Sequence, residues 1–133
     1  MRVFLDTNVL VSAFATRGLC ADLFELVLLE HDLVLGAHVV NELDRSLRRK
    51  LKLSTAVADE IIAFISGEAS QLVGKSRPAD AKVGQADARV LGEAIASRAE
   101  VFVTGDAALL KLRAVENIQI VSPRGLWQLL HAG

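Results

Sequence analysis

Apolar positions along the chain follow two alternating rhythms. Val3-Phe4-Leu5, Leu33-Val34-Leu35, Gln71-Leu72-Val73, Val101-Phe102-Val103 and Ile118-Gln119-Ile120-Val121 are brief runs, mostly β-branched or aromatic, bounded by polar residues or glycine. Such runs predict strands. Between them, 22–30, 39–51, 55–65, 88–98 and 107–112 repeat apolar residues at spacings of three and four, which predicts helices. Ser122-Pro123 supplies an N-cap and a first-turn proline for a last helix through Leu129. Strands apolar throughout, alternating with helices, predict a three-layer α/β/α arrangement around a largely parallel sheet. In such sheets ligands bind beyond the carboxyl ends of the strands, so the residues just after each strand carry the interest.

Composition narrows the class. The chain has 133 residues, 52% of them hydrophobic and 23% charged, as expected of one well-packed domain over 1–133. No apolar stretch reaches the length of a bilayer span, so a cytoplasmic protein with no membrane association is expected. Cys20 is the one cysteine, which fits a reducing compartment. Fifteen basic residues against sixteen acidic ones give no bulk attraction for nucleic acid, so any such binding must come from local charge. The polar stretch "GKSRPADAKVGQ" at 74–85 reads as a loop near the active surface, carrying Lys75, Arg77 and Lys82.

Four acids stand where the sheet would present its ligand edge. Asp6 ends the first strand, Asp106 follows the fourth in Thr104-Gly105-Asp106, Glu42 lies early in the helix after the second strand, and Asp87 heads the stripe Val90, Leu91, Ala94, Ile95, Arg98. Each has a structural explanation of its own. Asp6 suits an Asx-turn, Asp106 a helix cap, Glu42 a first-turn dipole site with Arg45 as i+3 ion-pair partner, and Asp87 a cap. Together they are less easily assigned to four separate caps. Carboxylates brought close raise one another's pKa unless they share protons or hold a cation. An oxygen-only set without supporting Cys or His suits Mg²⁺ or Mn²⁺ rather than zinc, and points to phosphoryl transfer or phosphodiester hydrolysis.

With these residues in view, "VFLDTNVLVSA" at 3–13, "VVNEL" at 39–43, "ADARVLGEAIASRAEVFVTGDAALL" at 86–110 and "IQIVSPRGL" at 118–126 resemble the PIN-domain ribonucleases. The likeness is strongest to the VapC-like branch of bacterial toxins from toxin–antitoxin pairs. The resemblance implies a five-stranded parallel sheet and a metal-dependent endoribonuclease. It implies Asp6, Glu42, Asp87 and Asp106 as the catalytic set, with Asp6, Asp87 and Asp106 as ligands of one or two Mg²⁺ or Mn²⁺ ions. Glu42 would complete the set or orient the attacking water, and the products would carry 5′-phosphate and 3′-hydroxyl ends. Asn8 and Thr104 match the polar residues that hold carboxylates or water in place. One departure stands out: Gln85 and Ala86 precede Asp87 and Ala88 follows it, where many relatives have a further aspartate.

An RNA substrate needs a cationic track. Arg45, Arg48, Arg49 and Lys52 lie at i, i+3, i+4 and i+7, which places them on one helix face, with Leu43, Leu47 and Leu51 on the other. A solvated face is the plainer explanation of such a run. Trp127 is expected in the core or an interface, and His31, His38 and His131, scattered without ligand spacing, take no catalytic part. The helices at 21–29 and 57–65 offer apolar faces to an antitoxin or to a second copy, making a homodimer or higher assembly the expectation.

Rival classes fare worse. An aspartate-nucleophile phosphatase wants an Asp two residues after the first, where Asn8 stands. A receiver domain wants a lysine after the last strand, where Ser122-Pro123-Arg124 stands. Neither accounts for Glu42. A catalytically weak RNA-binding or scaffolding module of the same fold is the alternative, against which retention of all four acids weighs.

Overall fold

A computed structural model of the protein describes residues 1–132. β1 (Arg2–Leu5), β2 (Asp32–Gly36), β3 (Gln71–Val73), β4 (Val101–Val103), β5 (Ala114–Val115) and β6 (Ile118–Val121) form one sheet in the order β3-β2-β1-β4-β6-β5. The pairs β1–β2, β1–β4, β2–β3 and β4–β6 are parallel, and β5–β6 is antiparallel. The expected sheet thus gains a sixth strand, while the fold class stands. Residues 114–115 are too short to show a period. Their strand exists because the chain turns back through Glu116-Asn117 and the Ile120 N–H donates to the Arg113 carbonyl at 2.8 Å.

Successive residues of β1, β2 and β4 point to opposite faces, yet Val3, Phe4, Leu5, Leu33, Val34, Leu35, Val101, Phe102 and Val103 are all buried. Both faces are therefore covered, as the unbroken apolar runs predicted. Phe4 and Phe102 stack across the β1–β4 pair with ring centroids 5.4 Å apart. Edge strand β3 is the exception, with Gln71 and Leu72 exposed.

The helices are α1 (Thr7–Ala15), α2 (Leu19–Glu30), α3 (Ala37–Arg49), α4 (Thr55–Glu68), α5 (Gln85–Ala96), α6 (Ala107–Leu112) and α7 (Pro123–His131). Every predicted helix is present, displaced at its ends by a few residues. Ser122 caps α7 as expected, accepting from the Gly125 N–H at 3.0 Å. Trp127 lies outside the core, the first of the two places expected for it. It is 41% exposed and stacks on His131 at 3.9 Å, because Leu126 turns the buried face of α7 inward and leaves Trp127 beside it. Among the described residues no helix is long and apolar enough to cross a membrane.

In this strand order β2 and β3 lie on one side of β1 and β4, β6 and β5 on the other. The β1–β4 pair is thus the point where the winding reverses and where such sheets open a crevice at their carboxyl edge. Helices α3 and α5 bring their N-terminal ends toward the same edge, since each runs against the parallel strands it connects.

Candidate active site at the carboxyl edge of the sheet

Asp6 leaves β1 directly into α1. Its backbone is extended (φ −68°, ψ 159°), and its N–H still donates to the Val103 carbonyl, continuing the sheet. The carboxylate is buried and met by donors on both oxygens. Oδ1 accepts from the Thr7 N–H at 2.8 Å, while Oδ2 accepts from the Thr104 hydroxyl at 2.8 Å and the Asn8 amide at 3.1 Å. Asp6 is therefore an N-cap and a site residue at once. Desolvation raises its pKa, with the Asp87 charge adding to the rise, while the bonds from Thr104, Thr7 and Asn8 work against it.

Asp106 is tied into the same network from β4. Its N–H donates to the Thr104 Oγ1 at 3.0 Å, and its Oδ1 accepts from the Ala108 and Leu109 N–H groups, capping α6. The Asn8 Oδ1 accepts from the Gly105 N–H at 2.8 Å. Asn8 and Thr104 thereby couple the ends of β1 and β4.

The two remaining acids come from helices. Asp87 stands in the first turn of α5, half-buried, its pKa raised by desolvation and then by the Asp106 charge. Glu42 lies in α3, 3.6 Å from Arg45 and 3.8 Å from His38. All four acids line one cleft of about 230 Å³, together with Asn8, His38 and Lys50. Two of these companions are unexpected. His38 borders the acids although its sequence spacing suggested no part in the site, because it sits one helical turn before Glu42. Lys50, at the C-cap of α3, brings a cation among the acids that no motif announced.

The helix-borne half of the cleft depends on a residue the sequence concealed. Helix α3 starts after Gly36, which has no side chain to cap it. Glu93 of α5 does so instead, its Oε2 accepting from the His38 N–H at 2.7 Å and its Oε1 from the Val39 N–H at 3.4 Å. Gly36 is what admits it: a Cβ there would stand 2.1 Å from the Glu93 Cδ. The signal the sequence carries for it is a charge inside the run Val90-Leu91-Gly92-Glu93-Ala94, all of it buried.

The predicted cationic stripe is largely occupied. Arg48 bonds Asp44 at 2.9 Å and also pairs with Asp59 of α4, while Arg45 pairs with Glu42. Lys52 is not on the helix face at all. The helix ends at Arg49, and Lys52 follows in a left-handed conformation (φ 53°), which breaks the i+7 register. Arg49 alone of the four keeps its helical position without an acidic partner among the described residues.

No group of three or more His, Cys, Asp or Glu side chains among the described residues is drawn together tightly enough to form a ready metal cage. The donor set nevertheless suits a hard divalent cation. Three carboxylates from β1, α5 and β4 share a cleft, and charge repulsion links Asp6 to Asp87 and Asp87 to Asp106. Mg²⁺ keeps much of its water shell and needs only one or two direct carboxylates, so a preformed cage is not required.

An α/β sheet with an acidic cleft at its switch point is an architecture shared by several families. The family comes from comparison. The PIN-domain profile matches residues 2–108, and the chain belongs to that nuclease family. No curated protein matches the sequence. Among solved structures, a chain of the crystal structure of VapBC2 from Rickettsia felis, bound to a DNA fragment from their promoter, superposes with a TM-score of 0.63 at 18% identity. The match covers 92% of this chain and 98% of that one, so the two share a fold from end to end.

Proposed function

We propose that this protein is a metal-dependent endoribonuclease that hydrolyses RNA phosphodiester bonds. The observation that carries the reading is the meeting of Asp6, Glu42, Asp87 and Asp106, from four separate segments, in one cleft at the sheet's switch point. Asp6, Asp87 and Asp106 would hold Mg²⁺ or Mn²⁺. When bound, the ion acidifies water and neutralises charge developing on the phosphate.

The chain's own groups would do the rest. Thr104 and Asn8 hold the Asp6 Oδ2 and the Thr7 N–H holds its Oδ1, so that carboxylate meets its ligand without reorganising. Glu42, partly exposed and flanked by Arg45 and His38, would orient the attacking water and take its proton. Lys50 supplies a positive charge beside the phosphate. In-line attack would leave 5′-phosphate and 3′-hydroxyl ends.

The likeness to the VapBC2 chain supports a role as the toxin of a toxin–antitoxin pair, in the cytoplasm, with a small antitoxin as partner. Exposed Val57 and Phe64 on α4 and Leu29 on α2 are apolar surface suited to that partner or to a second copy. Purified protein incubated with single-stranded and structured RNA should cut in Mn²⁺ or Mg²⁺ and not in EDTA. Cleavage that survives EDTA, or the Asp6→Asn and Asp87→Asn changes, would sink the metal mechanism. Expression in a bacterial host should arrest growth and Asp87→Asn should restore it; unimpeded growth with active enzyme present would remove the toxin role.

A further inference from the structure

Beside the acidic cleft, and sharing His38 with it, lies a larger cavity of about 470 Å³ between α3, the loop 74–84 and α5. Asn41 and His38 line it from α3, Lys75 and Ser76 from the loop, Arg89 and Glu93 from α5. Its volume falls in the range of about 300–1,000 Å³ usual for sites that enclose a small molecule or one residue of a larger one. The loop wall is fixed in place. The Ala79 N–H donates to the Ala88 carbonyl at 2.8 Å, and Gly92, whose Cβ would meet the Arg77 carbonyl oxygen at 2.1 Å, lets the loop lie directly on α5.

The charges of this cavity differ from those of the α3 stripe. Arg45 and Arg48 are held by Glu42, Asp44 and Asp59, whereas Lys75 and Arg89 have no acidic partner among the described residues. Asn41 likewise makes no side-chain hydrogen bond among them, leaving its donors and acceptor open. The Glu93 carboxylate also lines it, but is 3% exposed and already accepts from the His38 and Val39 N–H groups on its two oxygens. Its buried charge repels phosphate, and the open Asn41 amide is the group left to meet a base edge. Two exposed cations and an open amide are the complement of one nucleotide, phosphate outward and base inward.

We propose that this cavity seats the nucleotide adjacent to the scissile phosphate of a single-stranded RNA. Lys75 and Arg89 contact its flanking phosphates, and Asn41 faces its base. The inference rests on the nuclease function proposed above and moves the RNA path from the α3 stripe to the α3–α5 cavity. A duplex is disfavoured, because a paired base must be unstacked and unpaired before it can enter.

The test is fluorescence anisotropy of a labelled single-stranded RNA in EDTA, where turnover stops, alongside a cleavage assay of the wild type in Mn²⁺. Lys75→Ala/Arg89→Ala should weaken binding about tenfold or more and reduce the salt dependence of log Kd by about 1.4, the equivalent of two lost phosphate contacts on a single strand. Arg48→Ala should change Kd less than about twofold. Wild-type cleavage together with undiminished binding by the Lys75/Arg89 variant, or a larger loss in Arg48→Ala, overturns the cavity assignment and leaves the nuclease standing. Wild-type protein that neither binds nor cleaves RNA overturns both. Both lysine and arginine are exposed, and an unchanged melting temperature verifies that the variant is folded.

Discussion

The acidic cleft is built in two halves that are held by different means. Asp6 and Asp106 hang from the ends of β1 and β4, each a helix cap, each bonded through Thr104, and joined again by Asn8 and Gly105. Asp87 and Glu42 belong to helices, and no hydrogen bond ties either carboxylate to the other half. Their positions depend on how α3 and α5 pack, and the clasp between those helices is Glu93 against the start of α3. The strand-borne half is thus preorganised twice over, by cap bonds from neighbouring backbone and by the Thr104 and Asn8 side chains that join the ends of two paired strands. The helix-borne half is placed by packing between α3 and α5, whose clasp joins position 93 to positions 38 and 39, and neither of its carboxylates is bonded to the strand ends.

Removing one acid from the second half should have the largest effect on function. Asp87→Asn should lower metal-dependent RNA cleavage by on the order of 10³-fold, as loss of one electrostatic group in a preorganised site does. Because it also removes repulsion with Asp106 and Asp6, its melting temperature in EDTA should rise rather than fall. A variant that loses both activity and stability would show that Asp87 is structural.

Breaking the clasp comes next. Gly36→Ala forces Glu93 off the α3 backbone or displaces the strand, and should cost about 2–4 kcal/mol in denaturant unfolding. Adding Glu93→Ala should recover only the part of that loss that comes from the carboxylate end, since a Cβ at position 36 would still stand 2.6 Å from the Glu93 Cβ. Additive losses would mean that the two residues act separately. In the strand-borne half, Thr104→Val removes a donor to Asp6 and an acceptor for the Asp106 N–H at a fully buried position. A cost of about 1–3 kcal/mol is expected, with cleavage reduced but not abolished.

The smallest effect is a slope. Asp6, Asp87 and Glu93 all have raised pKa values, with desolvation the leading cause. Between the ordinary carboxylate range and those raised values, the folded chain binds more protons than the unfolded one. Stability should therefore fall as pH rises from mildly acidic toward neutral. Mg²⁺ or Mn²⁺ should restore the part due to Asp6 and Asp87 near neutral pH, whereas Glu93→Gln should remove a part that metal does not touch. Melting temperatures across pH with and without metal measure both; a metal effect unchanged by Asp87→Asn would contradict the placement of the ion.

What was legible in the sequence follows the same division. Val3-Phe4-Leu5-Asp6-Thr7 and Val103-Thr104-Gly105-Asp106 announce themselves because a strand end, a cap and an acid are neighbours in the chain. The strand positions and the class of sheet were legible for a similar reason, through local period. Glu93 was not, since a charge within a helix reads as a solvent-facing position until its neighbours are known to bury it. The α3 stripe was only partly legible, because helical spacing assigns a face but says nothing of partners across it, here Asp59, nor of the left-handed turn at Lys52 that ends the register.

By itself the sequence determined the alternation of strands and helices, the parallel sheet that burial on both faces requires, and the ends of strands where acids would appear. Those depend on covalent neighbours and on the periods of 2 and 3.6 residues, which the chain carries wherever it is folded. Only the tertiary structure decided that Asp87 and Glu42 meet Asp6 and Asp106, that Glu93 clasps α3 through the space left by Gly36, and that Lys75 and Arg89 flank an open cavity while Arg48 is occupied. Each of these depends on distances between segments far apart in the chain, set by the packing of whole elements.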